Sequence, residues 1–200
     1  MVRKGRGYLP LIALLVGGLL VPGNALAVTV NAPAPDFTLP STTGEAISLS
    51  QFRGKKMVLI EFYGINFATT CTKNLTVRMV DSEAFKDLDV QILGISVDET
   101  FSQKTFADSL GLPFPLLSDV DAKVTHLYAA AKVIKEGTDL APVMLPGKGV
   151  QLKRDRISAS QAFFLIDKQG IVRGRWLPGD VRPFSSEEML EMARRLAGTP

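Results

Sequence analysis

The sequence has few of the residues that form crosslinks and bind metals: its 200 residues include one cysteine, Cys71, and one histidine, His126. A single cysteine excludes a disulfide within the chain. A single histidine on a predicted helix fits no metal-ligand spacing, so we interpret His126 as structural or exposed and expect no metal and no other cofactor. Cys71 is then either a buried, inert thiol or a thiol that reacts with another molecule.

Excess positive charge is also missing from most of the chain. Three of the 23 lysines and arginines lie in the first 27 residues, which leaves 20 basic residues against 20 acidic ones. The remainder is formally neutral, so the pI near 9.0 does not indicate binding to nucleic acid or to an anionic membrane surface.

The first 27 residues have the layout of a secretory signal peptide. Three basic residues precede an apolar stretch at 9–21, and Ala25-Leu26-Ala27 supplies small residues for cleavage. The apolar stretch is shorter than the roughly 20 residues of a spanning helix and contains two glycines. We expect cleavage after Ala27, export to the periplasm or the exterior, no membrane span afterwards, and one domain at 28–200; an uncleaved membrane anchor is the alternative.

Apolar periodicity predicts alternating strands and helices. Strands are predicted at 57–64 and 90–97, and a hairpin is predicted from AFFLID, the turn Lys168-Gln169-Gly170 and IVRGRW. Helices are predicted from about 70 to 88, 101 to 110, 120 to 131 and 185 to 196. Within the first helix, Leu75, Met79, Val80 and Phe85 occupy inward-facing spacings. Leu112–Asp119 is too rich in proline for regular structure, and Asp98 and Glu99 are interpreted as helix-capping acids.

This order of elements predicts an α/β domain with a thioredoxin-like fold, in which helices flank both faces of a central mixed β-sheet. Residues 132–160 do not fit the pattern, because they are long, basic and broken by glycine and proline. We expect a flap or an insertion there, since loops of such length in compact domains are often functional.

The position of Cys71 favours a reactive thiol. If the strand ends at Gly64 and the helix begins near Thr70, Cys71 lies in the first turn, where free N–H groups and the helix dipole stabilise an anion. A thiolate is the nucleophilic form of cysteine. The alternative is an inert side chain, because free cysteine also packs as a small hydrophobe.

Three blocks carry a family resemblance: APDFTLP with TGEAISLSQFRGKKMVLIEFY, then GISVDETFSQKTFADSLGLPFPLLSDVDAKVTHLY, then FFLIDKQGIVR. In this order and spacing they resemble the peroxiredoxin family, the alkyl hydroperoxide reductase and thiol-specific antioxidant group. The resemblance covers almost all of 28–200 and implies a thiol peroxidase with Cys71 as the peroxidatic cysteine.

The active-site motif of that family, Pro-x-x-x-Thr-x-x-Cys, aligns without gaps but is altered here. Gly64 stands at the proline, which shields the sulfur in the family, and Ala68 stands at the threonine, whose hydroxyl binds the peroxide. The family arginine that stabilises the anion falls on Gln161, which brings no positive charge. The resemblance therefore implies a slow peroxidase.

Substitutes for the missing groups are few. Thr69 and Thr70 lie beside the missing hydroxyl, but a shift of one residue turns a helical side chain by about 100°, so neither simply replaces it. Arg78 and Arg156 are the candidate substitute cations.

The segment NFATTCTKN also resembles the active-site turn of exported thioredoxin-like disulfide oxidoreductases, with Asn74 at the place of their second cysteine. Dithiol exchange needs two sulfurs, so that chemistry cannot run within one chain. We therefore predict an exported one-cysteine peroxidase that uses a hydroperoxide and an external thiol or thioredoxin-like reductant, and the resemblance implies a homodimer. A non-catalytic binding protein with an inert Cys71 and a thiol-exchange partner that forms mixed disulfides are the alternatives.

Overall fold

The computed structural model describes residues 28–135, 139–140, 150–151, 156–178 and 185–198. The predicted signal peptide lies outside these residues, so its cleavage stays a prediction. None of the helices described is both long enough and apolar enough to span a bilayer.

The described elements alternate along the chain largely as the periodicity predicts. In chain order they are β1 (Thr38–Pro40), β2 (Ala46–Ser48), a 3-10 turn (Leu49–Phe52), β3 (Met57–Phe62), α1 (Thr69–Asp87), β4 (Val90–Ser96), α2 (Thr100–Leu110), β5 (Leu116–Ser118), α3 (Lys123–Leu127), β6 (Ala131–Ile134), β7 (Asp139–Leu140), β8 (Val150–Gln151), β9 (Arg156–Ala159), β10 (Ala162–Ile166), β11 (Val172–Trp176) and α4 (Ser186–Ala197).

Five strands form the central sheet in the order β11-β10-β3-β4-β5. β4 runs parallel to β3 and β5 parallel to β4, whereas β10 is antiparallel to both β3 and β11, so the sheet is mixed as predicted. β3 is central, and all six of its side chains are buried because both sheet faces are covered. This explains why its sequence is a continuous apolar run apart from Glu61.

Two buried clusters cover the two faces. Buried residues of α1, α2 and α4 pack with one set of alternate strand residues, which includes Leu59 and Leu165. The opposite set, which includes Ile60 and Phe164, packs with α3 and with the β1–β2 hairpin. The thioredoxin-like arrangement is confirmed, and it places the carboxyl ends of β3 and β4 side by side, at the edge from which α1 begins.

Two predictions about secondary structure are wrong. The proline-rich segment Leu112–Asp119 contains β5, because proline lacks only the N–H donor and the Pro115 carbonyl still accepts from the Gly94 N–H at 3.1 Å. The helix expected at 120–131 is limited to α3, since Ala122 and Ala129 on either side have positive φ values of 56° and 54°.

The first helix also differs from its predicted inward face. Leu75 and Phe85 are buried as expected, but Val80 is 74% exposed. Arg78 takes an inward position instead, so this helix buries a charge.

The predicted flap contains paired strands. β6 pairs with β9 and β7 pairs with β8, both antiparallel. Residues 136–138, 141–149 and 152–155 of this segment lie outside the described residues. Residues of both β6 and β9 line a cavity that also contains Cys71.

Candidate active site

Cys71 is the third residue of α1, as the sequence predicts. The strand β3 ends at Phe62, and residues 63–68, here called the cysteine loop, connect it to the helix. Ala68 is the N-cap and offers no side-chain cap, so the first turn of the helix keeps backbone N–H groups without a side-chain acceptor. This arrangement places the half-buried sulfur at the positive end of the helix dipole.

A backbone donor faces the sulfur directly. The N–H of Ile65, in the cysteine loop, points to the Sγ of Cys71 at an N···S distance of 3.4 Å. Hydrogen bonds to an ionised acceptor are stronger than those to a neutral one.

The sulfur lines a cavity of about 480 Å³. Four of the predicted site residues, Gly64, Ala68, Thr70 and Cys71, lie together on one side of it. The other wall comes from residues 132–135, on and just after β6, and from Ser158 of β9. The cavity is thus bounded by apolar and hydroxyl groups and by two lysines, with a nucleophile on one side.

Thr69 and Gln161 are not among the residues that line this cavity. The Thr69 side chain is exposed, and Gln161 lies just before β10, where Ala162 pairs with Phe62. Of the two threonines weighed as substitutes, the structure brings Thr70 to the cavity.

Gly64 leaves the sulfur uncovered on one side. A Cβ atom at this position would lie 3.4 Å from the Sγ of Cys71 and 3.7 Å from the Oγ of Ser158. These are ordinary van der Waals distances, so a methyl group at this position fits next to the sulfur. The glycine therefore keeps the cavity open next to the nucleophile.

Arg78, one of the two candidate substitute cations, is engaged elsewhere. Its Nε donates to the Oε2 of Glu61 at 3.1 Å, and its Nη1 donates to the Oγ of Ser186 at 3.0 Å. The guanidinium also lies over the rings of Phe85 and Phe163. Arg78 therefore neutralises a buried carboxylate and ties α1 to the start of α4.

The Glu61 carboxyl is fully buried, and one of its oxygens, Oε1, has no hydrogen-bond partner. Burial raises the pKa of Glu61 from 4.5 to about 7, and the charge and hydrogen bond of Arg78 oppose part of this rise. A buried ionisable pair thus joins α1 to Glu61 of β3, two residues before the cysteine loop.

The cysteine loop is held by the buried residue Asn66, which makes three hydrogen bonds. Its N–H donates to the Oδ2 of Asp98 at 2.7 Å, and its side-chain Nδ2 donates to the Oγ of Ser102 at 3.0 Å. The Tyr63 hydroxyl donates to the Oδ1 of Asn66 at 3.0 Å. Burial raises the pKa of Tyr63 well above its ordinary value, so this phenol stays a donor.

Asp98 is a functional residue that the sequence interpretation missed. Its Oδ1 accepts from the Nη2 of Arg156 at 2.7 Å, so both carboxylate oxygens bind groups outside α2. Glu99 occupies the N-cap of α2 as predicted, although its side chain makes no cap bond, whereas the interpretation of Asp98 as a helix cap is wrong. The available signal was position: Asp98 follows a strand parallel to β3, and the ends of neighbouring parallel strands meet at one edge.

Within the ranges described, no three His, Cys, Asp or Glu side chains form a group able to hold a metal ion.

Comparison with known proteins identifies the family. The model of the AhpC/TSA family matches residues 30–175. The bcp protein of Coxiella burnetii, named as a peroxiredoxin, is 32% identical over 157 residues, which cover 76% of this chain and 89% of that protein. The chloroplastic peroxiredoxin Q of Triticum aestivum is 39% identical over 146 residues, which cover 73% of this chain and 58% of the wheat protein.

Solved structures show the same fold. Peroxidoxin BcpB from Mycobacterium tuberculosis superposes with a TM-score of 0.66 at 22% identity, over 84% of this chain and 98% of that one. Thioredoxin peroxidase I from Plasmodium yoelii superposes with a TM-score of 0.64 at 25% identity, over 85% of this chain and 91% of that one. The chain therefore belongs to the AhpC/TSA family, the family of the peroxiredoxins.

Proposed function

We propose that this protein reduces hydroperoxides through Cys71, that it works as a one-cysteine enzyme, and that it is exported. One observation carries the catalytic part: the Cys71 sulfur is half-buried in the first turn of α1, lines an open cavity and accepts the Ile65 N–H.

In the first step the Cys71 thiolate attacks the terminal oxygen of the hydroperoxide. An S–O bond forms and the O–O bond breaks, so the sulfur loses two electrons to the peroxide. The leaving oxygen takes up a proton and departs as an alcohol, or as water when the substrate is hydrogen peroxide. Cys71 is left as a sulfenic acid.

In the second step an external thiol restores the enzyme. The reductant attacks the sulfenic sulfur, water leaves and a mixed disulfide forms, which a second thiol then reduces. Because Cys71 is the only cysteine in the sequence, the resolving sulfur has to come from another molecule. A small thiol or a thioredoxin-like protein is the proposed reductant.

We expect a slow enzyme compared with the peroxiredoxins that it resembles. Gln161 occupies the position of their arginine and does not line the cavity. Loss of one positioned transition-state donor typically lowers a rate about 10²- to 10³-fold. The Ile65 N–H and the helix dipole replace part of that stabilisation.

Export and assembly are further parts of the proposal. The basic, apolar and small-residue segments of the first 27 residues support export, which cell fractionation and the N-terminal sequence of the processed protein test. The homodimer implied by the resemblance is tested by sedimentation of the purified protein.

The catalytic proposal is tested by titrating the purified protein with hydrogen peroxide in the presence of a dimedone-type reagent that traps sulfenic acid. We expect labelling at Cys71 near neutral pH, faster than for free cysteine, and none in a Cys71→Ser variant. Labelling no faster than free cysteine contradicts a peroxidase and favours the inert alternative. A mixed disulfide recovered from cells without any reaction with peroxide favours thiol exchange.

A further inference from the structure

Side chains from β9 hold the cysteine loop at two points. The Ser158 hydroxyl donates to the carbonyl oxygen of Gly64 at 3.2 Å. The Arg156 guanidinium binds Asp98, whose other carboxylate oxygen accepts the N–H of Asn66. Gly64 and Asn66 flank Ile65, the residue whose N–H faces the sulfur.

The spacing in β9 explains why one strand reaches both points. Successive side chains in a strand point to opposite faces, so Arg156 and Ser158, two residues apart, point to the same face. That face meets the cysteine loop directly through Ser158 and through Asp98 at the end of β4. The intervening side chain, Ile157, points away and is exposed.

We propose that Arg156 and Ser158 are positioning residues, which hold the cysteine loop so that the Ile65 N–H faces the Cys71 thiolate. Neither residue needs to touch the peroxide for this role. Arg156 forms an ion pair with Asp98, so it acts on the sulfur only through the backbone of the loop. The inference rests on the proposed function, because it explains how a peroxidase with Gln161 in place of the family arginine keeps its thiolate stabilised.

The geometry has a measurable consequence. An N–H···S contact at 3.4 Å weakens steeply when the donor turns away, and a misplacement of about 1 Å at a reacting group can cost about 10²-fold in rate. We expect Arg156→Gln and Ser158→Ala each to lower the rate constant of Cys71 oxidation by hydrogen peroxide about 10- to 100-fold. Arg156→Lys, which keeps the charge, should recover part of the loss.

The chain offers a matched control in the Arg173–Asp167 ion pair. The Arg173 side chain is 36% exposed and that of Asp167 is 7% exposed, against 34% and 10% for Arg156 and Asp98. This pair lies at the opposite end of the sheet. Arg173→Gln should therefore affect stability much as Arg156→Gln does and leave the reactivity of Cys71 unchanged.

The second readout does not depend on peroxide chemistry. The rate of Cys71 alkylation by iodoacetamide, measured from pH 5 to 10, reports the thiolate directly. We expect Arg156→Gln and Ser158→Ala to move this profile to higher pH, whereas Arg173→Gln leaves it in place. Thermal unfolding of each variant shows that the proteins compared are folded.

The outcomes separate this inference from the proposed function. If the wild type does not reduce peroxide but Arg156→Gln and Ser158→Ala still move the alkylation profile, the positioning role holds and the peroxidase proposal fails. If the wild type reduces peroxide and both β9 variants behave like Arg173→Gln in both assays, the positioning role is overturned.

Discussion

Each end of the central sheet has a buried aspartate that binds an arginine and at least one backbone N–H, but the partners lie at different distances along the chain. At the end opposite Cys71, Asp167 holds the β10–β11 turn. Its Oδ1 accepts from the N–H groups of Gln169 and Ile171, both at 2.9 Å, and its Oδ2 accepts from the Nε of Arg173 at 2.6 Å. All four residues lie within one hairpin.

At the cysteine end, the partners of Asp98 come from distant parts of the sequence. Asn66 precedes it by 32 residues and Arg156 follows it by 58. This network joins the cysteine loop, the end of β4 and β9.

The different spans indicate different roles for the two networks. A local network forms with its turn and mainly adds stability, because none of its residues lines the cavity beside Cys71. A network between distant segments fixes the place of one segment relative to another, and at this end the segment is the loop that carries the donor to Cys71. The cysteine end should therefore respond to mutation in both stability and reactivity, and the hairpin end in stability alone.

Among the changes at the cysteine end, we expect Arg78→Ala to lower the free energy of unfolding most. This change leaves the Glu61 carboxylate buried without its cation, and loss of one partner of a buried ion pair typically costs about 3 to 5 kcal/mol. The free energy of unfolding in urea at pH 8 measures it. The double variant Glu61→Leu/Arg78→Met is the control and should lose less, because neither side chain is then an unpaired charge. A loss below about 1 kcal/mol for Arg78→Ala contradicts the prediction.

Asp167→Ala removes the hydrogen-bond network at the hairpin end. Three hydrogen bonds to a carboxylate disappear and two backbone N–H groups lose their acceptor, so we expect a loss of about 2 to 3 kcal/mol in the free energy of unfolding. The rate constant of Cys71 with hydrogen peroxide should stay within about twofold of the wild type, because distant sites act independently. Asp121→Ala, which removes an exposed ion pair with Lys123, is the control and should change stability by about 0.5 kcal/mol or less. A fall in the rate constant for Asp167→Ala alone would show that the two ends are coupled.

The same contrast between local and distant contacts explains what the sequence predicts. The strands β3 and β4 and the hairpin at Lys168-Gln169-Gly170 are accessible from the sequence because apolar runs and turn residues are local signals. The place of Cys71 in the first turn of α1 follows from the same signals. Gly64, Ala68 and Thr70 could be assigned to its surroundings because they are its neighbours in the chain.

The contacts that sequence reasoning missed all join distant segments. Asp98 looks like a helix cap when its neighbours alone are considered, because its partners are Asn66 and Arg156. Burial of Arg78 was not predicted, because a helical pattern predicts apolar residues on the buried face. Its charge can be buried because it pairs with Glu61 of β3. β5 was not predicted, because the proline content of Leu112–Asp119 gives no information about β4, the neighbouring strand with which β5 pairs.

The stability of the cysteine end should depend on pH through Glu61. Burial raises the pKa of Glu61 from 4.5 to about 7, so between these values the native state binds more protons than the unfolded state does. The contribution of Glu61 to stability is therefore complete below about pH 4.5 and is lost as the pH rises through about 7. One proton gives a slope of at most about 1.4 kcal/mol per pH unit.

Urea unfolding at pH 5, 6, 7 and 8 measures this slope in the wild type and in Glu61→Gln, which keeps an acceptor for Arg78 but does not titrate. We expect the variant to lose less stability than the wild type as the pH rises over this range. Parallel curves for the two proteins would show that Glu61 keeps one protonation state throughout.

The smallest expected effect comes from adding a contact at the cysteine end. The N-cap of α1 is Ala68, whereas in α4 the Oγ of Ser185 accepts from the N–H of Glu188. Ala68→Thr supplies an oxygen for the N–H groups of the first turn, and an N-cap of this type is worth about 1 kcal/mol. Ala68→Val has the same shape without the hydroxyl, so the difference in free energy of unfolding between these variants isolates the cap. Equal stabilities would mean that the first turn gains no hydrogen bond from the new hydroxyl. A gain for threonine would show that α1 begins with unsatisfied donors next to the sulfur, and such donors are what a thiolate at Cys71 needs.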